Sequence, residues 1–304
     1  MSIDQRRRRL PDRIISFENR TETEVPLLEF LMSLFDGISR NDAKGRLRRG
    51  QVKLRGEIQT VADTPVMPGD KVDVNLTQPF KVFSHPRLSI VYEDDDILVV
   101  NKGYGLLSVG TGAQGKEITA YNILRDYLKQ DNPAAKIFVV HRLDKATSGL
   151  MMFAKNPEAQ EAMQHNWNNM VLSRLYVAVV EGLMEEQSGV IRSNLNQTSQ
   201  FEVYSTKNTG EGRTATTRYR VLARGNGYSL VEFSLDTGRK NQIRVHARDL
   251  GHPIVGDRKY GAKSSPAKRV CLHAKTLRFA HPITRKDMNF ELPVPARFKE
   301  LLRR

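Results

Sequence analysis

The chain has a single cysteine, Cys271, among 304 residues. Neither a disulfide framework nor a multi-thiolate metal site can form within one copy, and a reducing cytoplasm is the expected compartment. Histidine is sparse as well. The seven present include His246, His252, His273 and His281, at no spacing that resembles a zinc site. No run approaches the roughly 18 uninterrupted apolar residues of a spanning helix, so no membrane partner is expected. The stretch from Met1 to Arg9 carries charge without an apolar segment, which predicts no secretory signal. There is no Gly-x-Ser-x-Gly nucleophile elbow, no internal repeat and no long low-complexity tract. Gly110 to Lys116 nearly spells a phosphate-binding P-loop, but Glu117 stands where Ser or Thr should reach magnesium. A carboxylate there repels phosphate, so a flexible glycine-rich loop is expected instead.

Acidic residues are the other shortage. Lysine and arginine total 48 against 34 aspartates and glutamates, a net charge of +14. Such an excess favours a polyanionic partner, most often nucleic acid; the alternative is a basic but otherwise ordinary cytosolic enzyme. The charge is clustered. Arg40, Lys44, Arg46, Arg48, Arg49, Lys53 and Arg55 face a single acid, Asp42. Apolar residues make up 39% and charged residues 27%, as in a globular protein, and the length accommodates one large domain and one small one.

Residues 1–20 read as a basic flexible arm, whose Arg6–Arg9 run either touches phosphates or is a solvated tail. Residues 21–76 read as a small module. Leu27, Leu28, Phe30, Leu31, Leu34 and Phe35 form a helical stripe that Gly37 breaks. Ser39, with Asp42 three residues on, opens a second helix that carries the basic cluster and stops at Gly50. Val52 and Leu54 alternate as a short strand, and Pro68-Gly69-Asp70 turns into Val72-Asp73-Val74. Residues 77–87, with two prolines, read as a linker. From residue 88 to 304 the pattern is of mixed strands and helices without a regular β-α-β cadence, predicting an α+β domain on a mixed, mainly antiparallel sheet. Within it, Glu93 to Asp96 is a hairpin turn, a helix runs from about Thr119 to Leu128, and Asn156-Pro157-Glu158 starts another.

The most informative segment is His141-Arg142-Leu143-Asp144-Lys145-Ala146-Thr147-Ser148-Gly149-Leu150. One carboxylate sits among cations, directly after the apolar run Ile137 to Val140. Isolated ionised groups are expensive to bury, so a charged strand end faces a site or water. Taken alone, Asp144 is equally a strand-end surface residue, Tyr176 an ordinary strand tyrosine and Arg244 a solvated helical arginine.

The segment closely resembles the motif around the catalytic aspartate of the RluA-type pseudouridine synthases. Two more segments match that family in order: Arg174-Leu175-Tyr176-Val177-Ala178, and Thr237-Gly238-Arg239-Lys240-Asn241-Gln242-Ile243-Arg244 with Gly251 to Asp257 after it. Asn101-Lys102, Tyr260-Gly261, Leu272-His273-Ala274 and Phe279-Ala280-His281-Pro282 support the match. The resemblance implies an RNA uridine-to-pseudouridine isomerase. That reaction breaks C1′–N1, turns the uracil and joins C5 to C1′, with no net redox change, so no cofactor and no metal are expected. It implies Asp144 as the catalytic carboxylate, attacking the sugar or removing a sugar proton. Arg244 would hold and aim that charge, and Tyr176 would stack on the base and assist loss of the C5 proton. Arg142 and Arg239 would position phosphate or loop. Asn241 stands where the family commonly has histidine, Arg174 where it has lysine, and Gly103-Tyr104-Gly105 where it has Pro-x-Gly.

Residues 24–76 resemble the alpha-L RNA-binding module first seen in a small-subunit ribosomal protein, on Ser39-Arg40, Lys44, Arg48 to Val52, Gly56 and Pro68-Gly69-Asp70. This implies that Arg40, Lys44 and Arg48 lie against structured RNA. Together the two resemblances imply a cytoplasmic monomer acting on large-subunit ribosomal RNA. The alternatives are an enzyme of transfer RNA, a noncatalytic RNA-binding or ribosome-assembly factor that keeps the fold, and a nucleic-acid glycosidase.

Overall fold

The computed structural model describes residues 13–80, 83–110, 117–130, 132–206 and 211–303. The Arg6–Arg9 run and the glycine-rich loop at 111–116 lie outside the described residues. The chain divides into two compact units, Met1–Phe83 and Ser84–Arg304.

In the first unit the apolar stripe forms the helix Leu27–Leu34, burying Leu27, Leu28, Phe30 and Leu31. The next helix, Arg40–Arg48, begins where the capping signal places it: Ser39 Oγ accepts a hydrogen bond from the Asp42 amide at 3.0 Å. Ala43, Gly45 and Leu47 turn inward, leaving Arg40, Lys44 and Arg48 exposed one helical turn apart. A four-stranded antiparallel sheet runs in the order Ile14–Glu18, Lys71–Asn75, Val52–Leu54, Glu57–Ile58. Val52, Leu54, Val72 and Val74 close the core against the helices.

Two expected boundaries need correcting. The arm expected to reach residue 20 includes a strand, because Ile14–Glu18 alternates and pairs along its length with Lys71–Asn75. Its Phe17 packs on this core, edge-on to Phe35 at 5.5 Å. The expected linker from residue 77 also starts too early. The Phe80 amide donates to Gly50 O at 2.8 Å, and Lys53 Nζ lies 4.7 Å from the Phe80 ring centroid.

The second unit is built on one sheet of eleven strands among the described residues. From one edge the path runs Val203–Thr206, Ser188–Gln197, Arg213–Gly225, Tyr228–Leu235 and Val171–Glu181. It continues through Leu272–Ala280, Ser148–Ala154, Ile97–Lys102 and Leu88–Glu93. Asp287–Glu291 and Phe138–Val139 pair off this path. The pairings are antiparallel except that of Ser148–Ala154 with Leu272–Ala280. The architecture is α+β. Every residue of Ser148–Ala154 is buried, as in a central strand covered on both faces. Gly149 makes its parallel pairing possible. At φ +115° a Cβ there would lie 2.2 Å from Ala274 O, so no other residue fits.

Side-chain caps start two of the helices in this unit. Thr119 Oγ1 accepts from the Asn122 amide at 3.0 Å to start Ala120–Lys129, and Asn156 Oδ1 accepts from the Ala159 amide at 2.8 Å to start Pro157–His165. The helix Gln242–Asp249 packs on Val203–Thr206 and Arg213–Gly225, with Gln242 to Ala247 buried. No described helix is long and apolar enough to cross a membrane.

Candidate active site

A cavity of about 530 Å³ opens in the second unit between the Asp144 segment, the Val171–Glu181 strand and the start of the Gln242–Asp249 helix. Asp144, Tyr176, Arg244, Arg142 and Arg239 all line it. Residues more than 90 positions apart thus meet because the central strands deliver their ends to one place. Arg40, Lys44 and Arg48 belong to the first unit.

Asp144 is half-buried at the head of a turn that the Thr147 amide closes onto its carbonyl at 3.0 Å. It is the only carboxylate in the described lining, against Arg142, Arg174, Arg239, Lys240 and Arg244. Its field reaches three neighbours, acting to raise the proton affinity of Lys102, Tyr176 and Arg244. Burial holds the Tyr176 phenol above its ordinary pKa; Arg174 pulls the other way, and Asp144 adds to the rise. The phenol is therefore protonated at neutral pH.

Arg244 departs from the expected pairing. The ion pair it makes is with Asp257, not Asp144: Nε donates to Oδ2 at 2.6 Å and Nη2 to Oδ1 at 2.7 Å, both groups being almost wholly buried. Burial opposes the charge, but the hydrogen bonds and charge of Asp257 outweigh it and hold the guanidinium above its ordinary pKa, with Asp144 contributing. Nη1 donates to Asn241 Oδ1 at 2.9 Å, and Asn241 Nδ2 donates to the Tyr260 hydroxyl at 3.0 Å. Asn241 sits in the left-handed region at φ 54°, a conformation asparagine tolerates better than most residues. Asn241 thus stands at the N-cap of the helix and ties Arg244 to Tyr260, whose ring centroid lies 4.8 Å from the guanidinium.

Behind Asp144 lies Lys102, fully buried, with Nζ donating to Leu106 O at 2.9 Å and Gly103 O at 3.2 Å. Burial pushes its pKa down to about 8, Asp144 opposing and Arg269 reinforcing the shift. Arg269 donates to Ser148 Oγ at 2.7 Å, which is hydrogen-bonded to His273 Nδ1 at 2.8 Å. In the cavity lining, His141 Nε2 accepts from the Met152 amide at 3.0 Å, and burial with the nearby Arg174 pushes its pKa down to about 3. The His141 ring packs on Trp167 at 5.1 Å. Asp257, Arg269 and Trp167 had no assigned role from sequence. The usable signal for Asp257 was a lone acid after the apolar turn Pro253 to Gly256.

Asp94, Asp96 and His281 bring ligand atoms within 4.8 Å of one another. His281 has no lone pair left for an ion. Its Nε2 bonds Asp94 at 3.0 Å, and its Nδ1 accepts from the Ile283 and Thr284 amides. Asp94 in turn accepts from the Asp96 and Ile97 amides, so the group clasps a hairpin turn.

Residues 96–249 match the family described as RNA pseudouridylate synthase. The chain is 37% identical over 281 residues to the uncharacterized RNA pseudouridine synthase YlyB of Bacillus subtilis, covering 90% of this chain and 92% of that protein. It is 33% identical over 290 residues to ribosomal large subunit pseudouridine synthase D of Haemophilus influenzae, covering 90% and 88%. Among solved structures, human RNA pseudouridylate synthase domain containing 1 is 28% identical with a TM-score of 0.55, covering 71% of this chain and 87% of that chain. Human RNA pseudouridylate synthase domain containing 4, at 24% identity and a TM-score of 0.58 over 71% and 92%, shares the fold.

Proposed function

Because the chain belongs to the RNA pseudouridylate synthase family, we propose that it isomerises uridine to pseudouridine in large-subunit ribosomal RNA, at the cavity around Asp144. The observation that carries this reading is the composition of that cavity: one carboxylate and one tyrosine ring among five cationic side chains. The volume falls within the ~300–1,000 Å³ of ordinary ligand sites, which suits a nucleotide taken out of the RNA stack. The assignment to ribosomal RNA rests on the Haemophilus influenzae relative, whose name gives it that substrate.

The C1′–N1 bond breaks, the uracil turns, C5 joins C1′, and the proton leaving C5 is balanced by the one gained at N1. Asp144 supplies the carboxylate that acts on the sugar. Tyr176 lies against the base, where an aromatic ring stabilises an unstacked pyrimidine. Arg244, immobilised by Asp257 and Asn241, sets a fixed positive charge that orients Asp144 through space. Arg142 and Arg239, both exposed at the cavity, meet the backbone of the RNA. The exposed stripe Arg40, Lys44 and Arg48 adds phosphate contacts from the N-terminal module. On this reading the protein acts as a monomer on RNA in the cytoplasm.

Ribosomal RNA transcribed with C5-tritiated uridine tests the reading. Incubation with the protein is expected to release tritium to water and to leave pseudouridine in the digest. Free uracil in place of pseudouridine would identify a glycosidase, and no release would remove the catalytic assignment.

A further inference from the structure

The five cations of the cavity are not equivalent. Arg244 has its ion-pair partner in Asp257. Arg142, Arg239 and Lys240 are exposed and keep their hydration. Arg174 alone is withdrawn from water without a counter-charge: it is half-buried, and no carboxylate lies within ion-pair distance of it among the described residues. Its guanidinium lies 5.6 Å from the Trp167 ring centroid and makes one long hydrogen bond, Nη2 to Leu235 O at 3.4 Å. Burial lowers its pKa, with only the Tyr176 phenol acting against the shift. Removing a cation from water without an acid is costly, and such a group is stabilised by an anion that arrives from outside.

The absence of a side chain at Gly238 leaves room for that guanidinium. A Cβ on Gly238 would lie 2.7 Å from Arg174 Nη1. Arg174 and Tyr176 lie on one strand and line the same cavity. A guanidinium presents a planar fork of donors that matches phosphate oxygens.

We propose that Arg174 is a substrate-positioning residue that binds a phosphodiester flanking the target uridine, held for that purpose between the Trp167 ring and Gly238. This rests on the reaction assigned above and names the group that fixes the extruded nucleotide beside Tyr176.

The test uses full-length protein and RNA fragments carrying a uridine that the wild-type protein converts. In one fragment the linkage 5′ to that uridine is a neutral methylphosphonate, in another the 3′ linkage. Each preceding ribose bears a 2′-O-methyl group, and control fragments carry the same methyl groups with ordinary phosphates. On control RNA, Arg174→Met is expected to lower kcat/KM by about 10- to 100-fold, the range for one charge-assisted hydrogen bond. The slope of log affinity against log salt should flatten by about 0.7. Arg174→Lys should keep most of that slope. Gly238→Ala, which displaces the flexible end of Arg174 without removing it, should lower kcat/KM in the same direction. On one of the two methylphosphonate RNAs, wild type and Arg174→Met should become nearly equal. If Arg174→Met loses the same factor on all the RNAs, or matches wild type on the control, the phosphate assignment is overturned. Failure of the wild-type protein to convert any fragment would instead reject the reaction itself.

Discussion

Arg244 and Asp257 form a two-point ion pair, Nε to Oδ2 at 2.6 Å and Nη2 to Oδ1 at 2.7 Å, in which the carboxylate is 1% exposed. With Nη1 given to Asn241, every nitrogen of the guanidinium has a protein partner. Arg244 is therefore a fixed charge and not a mobile ligand. Removing one partner of a buried pair strands the other. Asp257→Asn is expected to destabilise the protein by about 3–5 kcal/mol in urea unfolding and to abolish turnover. A change below about 1 kcal/mol would mean that the pair is dispensable.

Tyr176 combines a ring and a hydroxyl, and two variants separate them. Tyr176→Phe keeps the ring and should lower kcat by about 10²-fold or more with KM nearly unchanged, if the hydroxyl assists proton loss. Tyr176→Leu should raise KM as well, by the ~1–3 kcal/mol of one base–aromatic stack. Equal behaviour of the two in kcat and KM would leave the ring without a separate role.

Three histidines, His246 and His273 buried and His141 half-buried, set the acid side of stability. Burial is the main cause in each case, holding His141 at about 3 and His246 and His273 at about 4, well below the ordinary imidazole value. The unfolded chain takes up these protons as pH falls through about 6.5, and the folded protein resists until about 4 for His246 and His273 and about 3 for His141. Stability is therefore fully present above pH 6.5 and is lost as pH falls toward 4, by about 1.4 kcal/mol per pH unit for each histidine. His246→Gln should reduce the slope near pH 5 by about one proton in urea titrations. An unchanged slope would show that His246 titrates alike in both states.

Much of the local structure was legible because its signals act over a few residues. Ser39 with Asp42, Thr119, and Asn156 with Pro157 mark helix starts through side-chain hydrogen bonds spanning three residues. What escaped depends on partners brought together by folding. Nothing within the sequence around Arg244 distinguishes Asp257 from Asp144 as its ion-pair partner. Lys102 follows an apolar run, but its depressed pKa comes from burial that only the closed sheet creates. The strand Ile14–Glu18 was hidden by the basic tail preceding it.

The N-terminal stripe gives a prediction independent of the catalytic groups. Neutralising Arg40, Lys44 and Arg48 together should weaken RNA binding and flatten its salt dependence by roughly 0.7–0.9 for each phosphate no longer neutralised. The helix should survive, since Ala43, Gly45 and Leu47 hold its inner face. An unaltered slope would make the stripe a solvated surface.

Asp144→Asn tests the central claim most directly, with turnover and RNA affinity measured on the same preparation. The substitution keeps the shape of a half-buried side chain and removes its charge. Pseudouridine formation should fall below detection while the dissociation constant for RNA stays within about threefold, as expected when a single group carries the chemistry and many cations carry the binding. Turnover at the wild-type rate would contradict the account.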